Sequence, residues 1–151
     1  MSEEKKLDES PKTRQSSNLA AEYYVASLLF RLGYVATVTF GNTKEIDLMV
    51  FDPETKKQIT IDVKGLKNTT DWIMPKKPSE RPNHFYVLVT FKNKFSDIEE
   101  TPEVYTLPSK QVKKLWVGWI GREEVKAIKY SDLREHPEFK GKNGMKFLFQ
   151  S

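Results

Sequence analysis

Residues 45–64 read EIDLMVFDPETKKQITIDVK, two alternating runs joined by the polar stretch DPETKK at 52–57. Alternation of apolar and polar residues marks a strand with one buried face, and two such runs about a short Asp- and Pro-containing turn predict a β-hairpin. Successive strand side chains point to opposite faces, so Ile46, Leu48 and Val50 share one side with Ile59, Ile61 and Val63. The other side carries Glu45, Asp47, Met49 and Phe51 against Gln58, Thr60, Asp62 and Lys64. A symmetric turn pairs Phe51 with Gln58 and therefore Asp47 with Asp62. A slip of two residues would keep the faces and make the acids diagonal neighbours.

Like charges directly opposed on a sheet destabilise it, with Cβ atoms about 5 Å apart. A divalent cation reverses the sign, because Mg²⁺ is held by one or two carboxylates, water and substrate phosphate. Lys64 emerges on the same face as Asp62, about 7 Å further along the strand, within reach of the same substrate. The competing reading is a pair of solvent-facing acids on a half-exposed sheet.

The chain around this hairpin has 151 residues, enough for one domain with its own core. Charged residues make up 30% and hydrophobic residues 38%, the composition of a globular protein. A net charge of +4 and a pI near 9.1 lean mildly toward an acidic partner such as nucleic acid. Cysteine is absent, which excludes disulfides, thiolate metal sites and cysteine nucleophiles. No run approaches the roughly 18 apolar residues of a membrane span, so no membrane association and an intracellular location are expected.

Residues 1–17 are polar and mixed in charge and are expected to form a flexible arm, with a single domain over 18–151. A helix is expected from the capping candidates Ser16, Ser17 and Asn18 to Leu32, with Gly33 just past its end. Its apolar face takes in Leu19, Tyr23, Val25, Ala26, Leu29, Phe30 and Leu32. Glu22 falls within that face, where a carboxylate is costly unless paired or bound to a cation; the alternative places it at the rim near the helix start.

Residues 34–40 predict a strand, with Gly41 and Asn42 turning into the hairpin. Residues 65–83 predict a long irregular connection bearing Lys67, Lys76, Lys77 and Arg81, with Trp72 either stacking on a base or packed in the core. A central strand is expected at 84–91, with His84 a candidate base of low specificity, and another strand at 103–107. A short helix should follow from Ser109 to Trp116, with Lys110, Lys113 and Lys114 on its solvated side. Residues 116–120 are open between helix and loop, and 125–130 suggest an edge strand.

A helix with an acid on its buried face, a strand with Asp, then a strand ending in Asp-x-Lys resembles the PD-(D/E)xK nuclease superfamily over residues 18–133. The tripeptide alone is cheap, since an acid two residues before Lys also occurs at Glu3, Glu4, Glu54, Glu124 and Glu138. Only Asp62 ends an alternating strand that follows a second acid. The chain is most similar to small members such as Holliday-junction resolvases, although Ile46 stands where the family name has Pro and Asp62 where those relatives more often have Glu.

The resemblance implies an α/β fold with a restriction-endonuclease-like αβββαβ core, a mixed sheet flanked by helices. It also implies a Mg²⁺ or Mn²⁺ cofactor and hydrolysis of phosphodiester bonds, DNA being the expected substrate. Asp47 and Asp62 match the metal-binding acids, Lys64 the motif lysine, and Glu22 the helical acid of many members. Lys67, Lys76, Lys77 and Arg81 are then candidate contacts to the nucleic-acid backbone. A homodimer would suit cleavage of both strands. The alternative within the same fold is a non-cleaving module that binds nucleic acid or a partner protein.

Overall fold

The computed structural model describes residues 11–39, 46–75, 77, 81–119 and 121–150. Phe40, the turn at Gly41 and Asn42, Glu45, Lys76 and the first ten residues of the expected arm lie outside the described residues. The elements are α1 (Pro11–Arg31), β1 (Val35–Val38), β2 (Leu48–Phe51), β3 (Gln58–Leu66), β4 (Asp71–Met74), β5 (His84–Thr90) and β6 (Glu103–Pro108). They continue with α2 (Ser109–Leu115), β7 (Val117–Trp119), β8 (Arg122–Lys129), α3 (Tyr130–Leu133), a 3-10 turn (Pro137–Phe139) and α4 (Gly141–Met145).

The central hairpin pairs Phe51 with Gln58 and Leu48 with Ile61, the symmetric register. What sets it is the turn. Asp52 accepts the Glu54 N–H at 3.0 Å on one carboxylate oxygen and the Thr55 hydroxyl at 2.9 Å on the other, while Lys56 takes φ of 64°. This local Asx-type bonding offers the backbone a definite closed shape.

Five strands form a mixed sheet in the order β1-β2-β3-β5-β6, antiparallel except for β3 beside β5. α1 covers one face, where Ala21, Val25 and Leu29 meet Leu48, Val50, Ile59, Ile61, Val63, Val87 and Val89. The other face is covered over β5 and β6 by a second sheet, β4-β8-β7, which packs Trp72, Met74 and Ile128 on Tyr86, Leu88, Tyr105 and Leu107. The molecule is thus a mixed α/β fold whose central sheet is flanked by helices.

Several local expectations give way to tertiary context. α1 begins at Pro11, not near residue 17; proline suits the first helical turn, where its missing N–H has no partner to lose. At the other end Gly33 has φ of 93°, its N–H bonds the Phe30 carbonyl and that of Tyr34 the Leu29 carbonyl, the Schellman closure expected of a glycine just past the helix. The buried face of α1 is narrower than the apolar sector, for Leu19, Tyr23, Phe30 and Leu32 are exposed.

The connection after β3 is not wholly irregular. It contains β4, whose Trp72 is buried and donates its indole N–H to the Val89 carbonyl at 3.0 Å. Residues 117–119 are a strand, and 122–129 lie in the middle of the second sheet, not at an edge. Short strands of this kind are stable only against a neighbour, so their own sequence marks them weakly.

α1 is fastened to β3 at one point. The Asn18 side-chain oxygen accepts the Gly65 N–H at 2.9 Å, and a Cβ at Gly65 would collide with the Ser17 carbonyl. Asn18→Ala should therefore lower stability by about 1 to 3 kcal/mol, because it strands a partly buried donor. Urea unfolding of the two proteins measures this, and an unchanged midpoint would disprove the role.

Candidate functional site

The ladder between β2 and β3 ends at the acids. Asp47 donates its N–H to the Ile61 carbonyl at 2.8 Å, and its Oδ2 then accepts the Val63 N–H at 2.8 Å, taking the place of the next backbone carbonyl. From here β3 runs on without β2. The Gly65 N–H, two residues further, goes to Asn18 of α1. A notch opens between the strands, and Glu22, one helical turn after Asn18, enters it.

The three acids meet through Asp47. Glu22 and Asp62 both lie close enough to the Asp47 carboxyl for it to raise them. Burial, then the neighbouring Asp47 charge, pushes Glu22 up to about 7, with Asp62 adding to the rise and Lys64 opposing it. Asp62, only 3% exposed, is likewise raised to about 7 by burial; Lys64 opposes this and Asp47 adds to it. Lys64 Nζ lies 3.5 Å from Asp62 Oδ1 while a third of its side chain stays exposed (33%).

Not every expected residue joins them. Lys67 leaves the end of β3 and lies over the Phe95 ring, 4.8 Å from its centroid. Lys77 and Arg81 are exposed, but they belong to the return connection that enters β5 beside Thr60, whose N–H bonds the Asn83 carbonyl. Arg81 lies two residues before Asn83 and so reaches the sheet at the end of β3 opposite Lys64 and Leu66. Lys110, Lys113 and Lys114 follow β6 on α2. His84 is buried, shares a 2.7 Å hydrogen bond with Thr60 Oγ1, and meets the Tyr86 ring edge-on.

Asn18, a capping candidate by sequence, is instead the tie between α1 and β3, one turn before Glu22. Its position one turn before the helical acid is the only sign of this in the sequence. A hollow of about 450 Å³ lined by Lys57, Gln58, Ile59, Asn83, Leu148, Phe149 and Gln150 sits at the other end of β3 and contains none of the acids.

The donor set suits a hard divalent cation. Burial and the neighbouring carboxyls push Glu22 and Asp62 up to about 7, a cost that a bound cation would relieve, and Mg²⁺ or Mn²⁺ is held by one or two carboxylates plus water. Asp47 stands between Glu22 and Asp62, and among the described residues no group of three or more His, Asp or Glu is arranged to hold a metal ion. Were such a cation bound, Asp47 and Asp62 would be its direct ligands, with Glu22 acting through water or a turned side chain.

Among the described residues no helix is long and apolar enough to cross a membrane. No protein-family model matches the chain, and no curated protein matches it significantly.

Proposed function

We propose that the chain is a metal-dependent endonuclease of the PD-(D/E)xK type that hydrolyses phosphodiester bonds, with DNA as its substrate. The observation that carries this reading is the meeting of Glu22, Asp47 and Asp62 in one notch, with Lys64 3.5 Å from Asp62 at its rim. Folding alone gives little reason to bring three acids from three elements together. We read α1, β1, β2, β3 and β5 as the corresponding part of the αβββαβ core, with β4 standing where that core has a helix.

Asp47 and Asp62 would hold Mg²⁺ or Mn²⁺, which supplies Lewis acidity at the phosphate and a water more acidic than in bulk. Asp47 has one oxygen for this, since Oδ2 is committed to Val63. Glu22 accepts hydrogen bonds from water in the notch and keeps it oriented. Lys64 neutralises charge growing on the phosphate as the water oxygen bonds to phosphorus and one P–O ester bond breaks, the leaving oxygen taking up a proton.

The test is incubation of the full chain with plasmid, single-stranded and four-way-junction DNA, and with RNA, with and without Mg²⁺ or Mn²⁺. Cleavage is expected only with metal. No cleavage in any combination would favour the non-cleaving module of the same fold.

A further inference from the structure

The central sheet is covered on only half of the face that bears Asp62. Over β5 and β6 the second sheet buries Tyr86, Leu88, Tyr105 and Leu107. Over β1 and β2 no element among the described residues covers the same face, whose apolar side chains are partly exposed. Val35 is 45% exposed, Met49 40% and Phe51 37%. The register puts Val35 beside Phe51 and Gln58, and Thr37 beside Met49 and Thr60, so these side chains form one continuous surface.

That surface has two properties. Among the described residues it contains no charged side chain before Asp47 and Asp62, and it runs straight into these acids, because Met49 and Phe51 follow Asp47 on the same face at about 7 and 14 Å along the strand. Lys and Arg, which supply most of the electrostatic attraction to phosphate, are absent from this surface among the described residues. An uncharged apolar surface with a partly exposed aromatic ring, Phe51, matches the faces of nucleic-acid bases, and stacking is tolerant of base identity. A duplex keeps its bases stacked on each other and offers no such face.

Building on the nuclease reading, we propose that β1 and β2 seat unpaired bases, so that the strand presented to Asp47 and Asp62 is single-stranded on the Phe51 side of the cut. The complementarity assigns phosphate to the acid and Lys64 end and bases to Met49, Phe51 and Val35. Substrates would then be single strands, flaps or frayed ends, and continuous duplex would be poor.

The experiment measures binding of the full chain to a labelled oligothymidylate and to a duplex of equal length, at fixed salt in EDTA so that nothing is cut. Stacking is worth about 1 to 3 kcal/mol per base, which is roughly a 5- to 150-fold change in affinity. Phe51→Ala should weaken single-strand binding within that range and change duplex binding less than about two-fold, while Phe51→Trp should bind the single strand at least as tightly as wild type. Phe51 is solvent-facing, and equal melting temperatures of the variants confirm that folding is not what changed.

Unchanged single-strand affinity in Phe51→Ala, or equal losses on both ligands, would overturn the proposal. So would a wild-type dimer in sedimentation that Phe51→Ala dissociates, which would make this face an interface between copies. Cleavage of plain duplex with no dependence on Phe51 sinks this inference and leaves the nuclease reading standing. Failure of wild type both to bind and to cut any nucleic acid sinks both.

Discussion

Asp62→Asn should abolish cleavage and at the same time make the metal-free protein more stable at pH 8. The two effects have one cause. Asp62 is 3% exposed, and burial raises its carboxyl from the ordinary 3.8 to about 7. The folded chain therefore holds a proton that the unfolded chain has released between about pH 4 and pH 7, and Glu22 shifts in the same direction. Stability from these groups is fully present below about pH 4 and is lost as pH rises through about 7.

Asparagine carries no charge to bury, so its curve should be flatter over that range. After allowing for the lost pairing with Lys64, the gain at pH 8 is about 1 to 3 kcal/mol. Thermal unfolding in EDTA across this pH range measures it. Millimolar Mn²⁺ should raise the wild-type melting temperature and leave Asp62→Asn nearly unmoved, since only the wild type offers both ligand charges. A variant less stable than wild type at pH 8, or one stabilised equally by Mn²⁺, would show that Asp62 is not a strained ligand.

Lys64→Ala should slow cleavage about 10²- to 10³-fold, the usual cost of removing one positioned electrostatic donor. Nucleic-acid affinity should change little, because the lysine is partly exposed and is paired with Asp62, whereas stability above pH 7 should fall as Asp62 loses that partner. The distinguishing sign is in the pH profile. Lys64 holds the Asp62 carboxyl down, so without it the rise of activity with pH should move to higher pH. Lys64→Arg keeps the charge and should leave that limb in place even if the rate is poor. An unshifted profile in Lys64→Ala would put the lysine outside the acid cluster's field.

How much of this was legible follows from what each signal measures. Alternation in 45–64 reports which face is buried, and Leu48, Val50, Ile59, Ile61 and Val63 are all in the core. The same alternation says nothing about β4 or β7, which are strands because β8 lies between them. Helical periodicity places Tyr23 and Phe30 on the apolar face, although they are exposed and the α1 residues buried in the core are Ala21, Val25, Ala26 and Leu29. Acids spaced along three elements could be read as a cluster because each sat on an otherwise apolar pattern. Lys77 and Arg81 could not be placed, since charge in a long connection carries no information about which end of a strand it returns to.

The Ser17–Gly65 contact bears on how the molecule would look in a saturation-mutagenesis screen. Glycine at 65 touches no substrate and holds no proton, yet any Cβ there meets the Ser17 backbone. The helix would have to slide or lift, taking Glu22 out of the notch. Position 65 should therefore be as intolerant in an activity screen as Asp47 or Asp62, with even alanine scoring as a knockout. Counting intolerant positions would overstate the number of chemical groups in the site by the ones that only hold two backbones together.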